Sequence, residues 1–415
     1  MQASFALTLL LLALPAPAQD AVIVVDAALG PGADFATLED ALAAAGKDDL
    51  ILVRSGYYRL PALEDFEIEQ AVRVVAEEGA SVALGSRITI SGLGADETVV
   101  LRGLELDFTP LHASTHPLAL SLFQNSGLVW VEDCRFVGPV TIPPDYGFQA
   151  PQTVRVDASR LVLRGCAIVG GGIVASYDEI APLWMRDSEV MLHGSVVRCH
   201  DDPPDITASP AIRAEGSLLF VSGSAVQGGK GVDVGDGGLC GESGGPGILL
   251  AAGGAPSAAF LLASDVAGGP PGEPGTFPSC PPVAAGPPVQ ADHGTVTELP
   301  GSARSLAGPA TATAGATVTL ALQGEPGVPV VLGFSTGAAS AFDPALSGAL
   351  LLAPPLALVS AGLTGPAGAL AYAFAAPAPA PGTETLQIYA QAAFMSAAGS
   401  AVSSGSAMAI LVPGL

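Results

Sequence analysis

Ser159-Arg-Leu-Val-Leu-Arg-Gly-Cys166 and Ser188-Glu-Val-Met-Leu-His-Gly-Ser195 are two copies of one pattern, and two more are Ser217-Leu-Leu-Phe-Val-Ser-Gly-Ser224 and Ser257-Ala-Ala-Phe-Leu-Leu-Ala-Ser264. Each sets two small residues seven positions apart around a short apolar strand. Ser126 to Cys134 repeats the pattern with one extra residue, and Leu104 fills the second small-residue slot one copy earlier. The slots at 104, 134, 166, 195, 224 and 264 are separated by 30, 32, 29, 29 and 40 residues. A further short strand follows each slot, as in Cys166-Ala-Ile-Val-Gly170, and another precedes the first Ser, as in Thr153-Val-Arg-Val156. Three short strands parted by tight turns cannot bury their own apolar side. Stacked, every strand pairs in parallel with its copy one coil away, and the inward side chains form a continuous column. An antiparallel sandwich also uses short strands, but it does not require one slot to return at a near-constant period. The expected fold is all-β, a right-handed parallel β-helix over residues 19–290.

Such a column exposes apolar side chains and strand edges at its ends, so it needs a cap. Gly30-Pro-Gly-Ala-Asp34-Phe35-Ala-Thr37-Leu38 reads as a turn leading to Thr37, a good N-cap with Asp40 three residues on. Leu38, Ala41, Leu42 and Ala45 mark one face of a short helix, Gly46 stops it, and Asp49-Leu-Ile-Leu-Val53 is a buried-type strand. With Ala21-Val-Ile-Val-Val25 before this stretch and Gly56-Tyr57-Tyr58 after it, the order is strand, Asp-Phe-x-Thr-Leu turn, Ala-rich helix, strand, Gly-x-Tyr turn. That order resembles the start of the pectin-lyase-like superfamily, and the resemblance covers about residues 21–290. It implies the β-helix fold. It says little about chemistry, because the superfamily includes lyases, hydrolases, esterases and proteins without known activity.

From Gly268 to Gln290 eight of 23 residues are Pro and the strand rhythm breaks, which reads as a loop followed by a linker at 291–300. Residues 301–415 carry only four charges, Arg304, Glu325, Asp343 and Glu384, among strand candidates such as Ala316 to Leu322 and Val328 to Phe334. A C-terminal β-sandwich is expected there. Its low charge suits docking on a surface or a neighbour, with a plain stability module as the preferred alternative.

The net charge is −24, and residues before 301 hold 36 acidic against 14 basic groups. No basic patch is visible, so nucleic acid is excluded as a partner. An anionic polysaccharide would need a bridging divalent cation. The apolar run Phe5 to Leu14 followed by Ala16-Pro17-Ala18 reads as a signal peptide over 1–18, although no Lys or Arg precedes the run. The longest other uncharged apolar stretch, Ala349 to Val359, is short and broken by Pro354-Pro355, so no transmembrane segment is expected after cleavage. The expected location is secreted or cell-surface.

Candidates for chemistry are few. The resemblance points to clustered acids holding calcium with an Arg base, as in pectate lyases, or several Asp on adjacent coils, as in polygalacturonases. The nearest match is His200-Asp201-Asp202-Pro-Pro-Asp205, whose carboxylates could bind calcium or act as acid and base. Asp201 and Asp202 lie six and seven residues after the slot at Ser195, where neighbouring copies have Gly172 and Ile173, then Lys230 and Gly231. No carboxylate stacks beside them, so a solvated loop is the favoured reading. Asp233, Asp236 and Glu242 lie in a Gly-rich stretch that could wrap calcium, but it lacks any regular calcium-loop spacing, and a flexible turning loop is favoured. No other cofactor is indicated.

The five Cys do not have metal-ligand spacing. Cys134 and Cys166 share the inward slot and read as small core residues, with pairing across coils the less favoured option. Cys240 and Cys280 each lie 16 residues after their own slot residue, which places them at equivalent points of successive coils and favours a disulfide. Cys199 is left over. The leading functional reading is a non-catalytic extracellular scaffold or glycan-contacting module, whose partner is a glycan or a cell-surface component. The runner-up is a polysaccharide lyase or glycosidase centred on the Asp201 loop, and the third reading is a calcium-dependent adhesion protein.

Overall fold

The computed structural model describes residues 21–60, 65–107, 118–138, 152–170, 181–200, 208–231, 233, 240–274, 280–396 and 399–413, with the side chains of 396–400 excluded. Three parallel sheets wind into a right-handed β-helix. Sheet A has ten strands, from Val22–Val25 to Gly294–Leu299; sheet B has eight, from Gly56–Tyr58 to Asp265–Ala267; sheet C has eight, from Phe66–Ile68 to Val289–Ala291. One inner column of aliphatic side chains runs from Ile23 to Leu261.

The repeat has a physical cause at two corners of every coil. The residue before each slot takes a left-handed conformation, Gly103, Asp133, Gly165, Gly194, Gly223 and Ala263, so the chain turns sharply from sheet A into sheet B. The same happens before the first small residue of the motif at Ala158, Asp187 and Gly216, and at Gln124 before Asn125 in the copy with one extra residue. The small residue that follows each turn points inward and stacks. Ser159 N–H donates to Ser188 Oγ at 3.2 Å, Ser188 N–H to Ser217 Oγ at 3.1 Å, and Ser217 N–H to Ser257 Oγ at 3.2 Å. A second ladder joins Cys166 N–H to Ser195 Oγ, Ser195 N–H to Ser224 Oγ and Ser224 N–H to Ser264 Oγ at 3.0–3.3 Å. The hydroxyls thus satisfy backbone donors that the turns leave inside the column. Cys134 and Cys166 sit in these slots as free thiols, and burial pushes the Cys134 thiol up to about 12.

The N-terminal end is closed by the helix Leu38–Ala44, capped by Thr37, whose side chain accepts from Asp40 N–H. Leu38 and Ala41 face the first coil and are buried. At the other end the helix extends further than the sequence suggests. Strands Val289–Ala291 and Gly294–Leu299 add in register to Ile248–Leu250 and Ser257–Leu262. Residues 291–300 are therefore mostly part of the last coil and not a linker. Their polar reading has a reason: Glu298 pairs with the inward position of Leu261, so a charge stands where another apolar layer would otherwise begin.

The Gly- and Pro-rich stretches are also ordered in their described parts. Gly229 N–H donates to Ser209 O, Gly245 to Gly229, Gly269 to Gly245 and Gly286 to Gly269, all at 2.8–2.9 Å. A Cβ on Gly269 would stand 1.8 Å from Gly229 O, so only glycine allows this backbone-to-backbone stacking. Cys240 and Cys280 form a disulfide between these two excursions, with Cα atoms 5.3 Å apart across a separation of 40 residues. Loop closure of that size is worth roughly 3–4 kcal/mol in chain entropy, less where the reduced chain keeps its glycine contacts. Cys280→Ser is expected to lower stability by about 2 kcal/mol in chemical denaturation, and an unchanged midpoint would show that the glycine stack holds the excursions alone.

Residues 305–411 form a sandwich. A three-stranded antiparallel sheet, Ser305–Ala307, Thr317–Gln323 and Ala369–Ala375, faces a five-stranded sheet built around Thr385–Ser396 and Gly399–Leu411. Leu320, Leu322, Leu332, Phe394 and Ile410 are among the residues of its core.

This sandwich docks on the outer face of sheet A. Four positions before each slot stand Val100, Trp130, Val162, Met191 and Phe220, which pack against Ala349, Leu351, Tyr389 and Ala407. Sheet A strands are thus buried on both faces, which explains their unbroken apolar runs. Two positions before the slot the row reads Arg102, Glu132, Arg164, His193. Glu132 is fully buried. It accepts from Trp130 Nε1 at 3.0 Å, Ser406 Oγ at 3.1 Å and Ala407 N–H at 3.1 Å, and it pairs with Arg102 and Arg164. Burial pushes its carboxyl up, but the guanidiniums of Arg164 and Arg102 outweigh that and hold it below the usual range. Arg102 in turn donates to the carbonyls of Ala407, Gly308 and Pro309.

Candidate functional site

His200 follows the sheet B strand Val196–Arg198 and is half-buried. Asp201, Asp202 and Asp205 lie outside the described residues, in the connection to the sheet C strand Ile212–Glu215. Asp233 is engaged by the Lys230 ammonium and accepts from Glu273 N–H at 2.8 Å; the Lys230 bond, then the Glu273 amide, hold its carboxyl below the usual range. Lys230, which the repeat places one coil from Asp201, pairs with Asp233 of its own coil. Asp236 lies outside the described residues, and Glu242 is exposed, its carbonyl accepting from Gly272 N–H. Among the described residues no group of three His, Cys, Asp or Glu is placed to hold a metal.

The described cluster with most chemistry is on the outer face of sheet C. Strands Val154–Asp157, Leu183–Arg186 and Ile212–Glu215 alternate strictly, with Val154, Val156, Leu183, Met185, Ile212 and Ala214 in the core. Their outward residues fall into two rows by register: Arg155, Trp184, Arg213 and Asp157, Arg186, Glu215. Arg155 Cζ lies 4.8 Å and Arg186 Cζ 4.5 Å from the Trp184 ring centre, so two cations share one indole. Arg155 Nε donates to Asp157 at 2.6 Å, while Glu215 receives Arg186 Nε at 3.0 Å and Arg213 Nε at 2.8 Å. Trp184 is 2% exposed and its indole N–H has no acceptor among the described residues. Arg155 and Arg186 remain 36% and 44% exposed at the side chain. One strand earlier Phe123, paired with Asp157, is 48% exposed.

The strip therefore offers aromatic surface beside two accessible guanidiniums, on a chain whose net charge is strongly negative. Both carboxylates already accept from arginine, which positions the cations for a ligand's acceptor groups and engages the groups an acid or base would need. The sequence carries a signal for these residues on the other side of the slot, where a row of mixed charge has no apolar alternation to mark it. Eleven positions before the slot stand Arg155, Trp184 and Arg213, and nine before it Asp157, Arg186 and Glu215. The same counting would have found them.

The fold and this strip define a right-handed parallel β-helix with a polar-aromatic outer face. No protein-family model matches the chain, and no curated protein does. Among solved structures it is similar to pectate lyase Pel9A, at 11% identity and a TM-score of 0.34, over 67% of this chain and 79% of that one.

Proposed function

We propose that the protein acts outside the cell as a non-catalytic, glycan-contacting β-helix of pectin-lyase-like type. The outer face of sheet C from Phe123 to Glu215 is its contact strip. The observation that supports this most is the exposed Phe123 ring in one register row with Asp157, Arg186 and Glu215, with Arg155 and Arg186 partly exposed and both carboxylates already engaged by arginine. Strands spaced about 4.8 Å apart give the four-strand strip a length of roughly 14 Å, which suits two or three sugar units.

Titration calorimetry of the full chain with neutral and acidic oligosaccharides tests the reading, with and without calcium. Arg186→Ala and Phe123→Ala are each expected to weaken binding about tenfold, or roughly 1.4 kcal/mol. Absence of binding to every glycan class removes the proposal. Release of unsaturated products or reducing ends that disappears in Asp157→Asn or Asp201→Asn would replace it with the lyase or glycosidase reading. Binding of a protein ligand that requires calcium would favour adhesion.

A further inference from the structure

His193 stands at the docked face of sheet A, in the row of Arg102, Glu132 and Arg164, and is 4% exposed. Neither ring nitrogen has a hydrogen-bond partner among the described residues. Its ring meets Phe220 edge-on with centroids 5.5 Å apart, and Phe220 in turn packs on Phe342 of the sandwich at 5.0 Å. Register places Arg164 and Ser222 on its two sides. From the sandwich, the segment around Leu306 lies over this row, since Leu306 O accepts from Arg164 and Ala303 Cβ sits 2.7 Å from where a Gly223 Cβ would stand. The charged groups nearest by these contacts are Arg164, with Glu132 and Asp133 beyond it, and Arg304, which is paired with Glu325.

A neutral imidazole fits this place and an imidazolium does not. Protonation would bury a cation without an acceptor, one strand from an arginine whose own partner, Glu132, is already shared with Arg102. Undocking restores water to the ring at once. We propose that acid releases the sandwich from sheet A, with His193 as the group that senses it and the apolar row from Val100 to Phe220 as the surface uncovered.

Burial, then Arg164, lowers the His193 pKa to about 4 in the docked state, against 6.5 when exposed. Docking is thus at full strength above pH 6.5 and weakens as pH falls toward 4. The docking constant drops by up to tenfold per pH unit between the two values, about 300-fold in all. Glu132 acts in the same direction only at more acid pH, because its carboxyl is held below the usual range.

The Ala407 N–H, whose acceptor is Glu132 across the interface, reports docking through hydrogen exchange of the full chain. After correction for intrinsic rates, its opening constant is expected to rise roughly 40-fold from pH 6.5 to 4.5. In His193→Phe and His193→Leu it should stay flat over that range. Acrylamide quenching of Trp130 in a Trp184→Phe background, which leaves one tryptophan, should rise over the same interval. A flat wild-type profile, an equal slope in both His193 variants, or exchange at Ala407 without added Trp130 quenching would each overturn the proposal.

Discussion

Glu132→Gln should remove about 3–5 kcal/mol of stability at neutral pH, measured by denaturant titration, because it leaves two buried guanidiniums with only the half-exposed Asp133, 3.4 Å from each, as an anion. Arg102 is 9% exposed and Arg164 11% exposed at the side chain, so water cannot replace the lost charge. The amide would still accept from Trp130 and Ala407, which makes the change a test of charge more than of shape. The wild-type contribution should hold above the ordinary carboxylate pKa and fade as pH falls through the lowered value of the docked state. Replacing Arg102, Glu132 and Arg164 together by Leu should recover most of the loss, since a buried ion network and a packed apolar patch are often close in energy. A loss below about 1 kcal/mol in Glu132→Gln would show that the arginines relax to solvent and that the triad does not hold the domains together.

Trp130→Ala is the second large effect, about 3–5 kcal/mol. The indole is fully buried between sheet A and the sandwich, tilted on Tyr389 at 5.5 Å. Gly405 exists to admit it: a Cβ there would lie 2.5 Å from Trp130 Cη2, and a ring held on both sides cannot step aside. Gly405→Val should therefore cost about 1–3 kcal/mol by overpacking. A smaller ring should relieve the clash, so Trp130→Phe with Gly405→Ala should be less damaging than the two single changes added together. Strict additivity would mean the two residues do not share a contact in solution.

Much of the architecture is written in short-range pattern. The Ser and Cys slots, the left-handed residue before each of them and the Thr37 cap can be read in order along the chain, because each acts within a few residues of its own position. Stacking then converts a constant offset in sequence into adjacency in space. That is why Cys240 and Cys280, each 16 residues past a slot, form a disulfide. The same rule carries the Arg155, Trp184 and Arg213 row, eleven positions before successive slots.

The last coil and the glycine stack were harder to read for a physical reason. Both lack the alternation that marks a half-buried strand. Glu298 occupies an inward position because nothing stacks beyond it, and Gly229, Gly245, Gly269 and Gly286 pack backbone against backbone, with no side chain to carry a pattern.

Sheet A shows where local information ends. An apolar residue four positions before every slot can be counted from the sequence, and it says that something covers that face. It does not say what. Glu132 meets Ser406 and Ala407 across 274 and 275 residues, and Arg102 reaches Gly308 across 206. In the linear chain these charges look like ordinary solvated strand residues, and residues 301–415 look like a separate weakly charged domain. Burial is a property of two surfaces that meet, and no periodicity within either one records the other. The repeat dictates the column because its contacts are copies of one local geometry, whereas the docked sandwich, the buried acid and the neutral His193 exist only once the two parts are in contact.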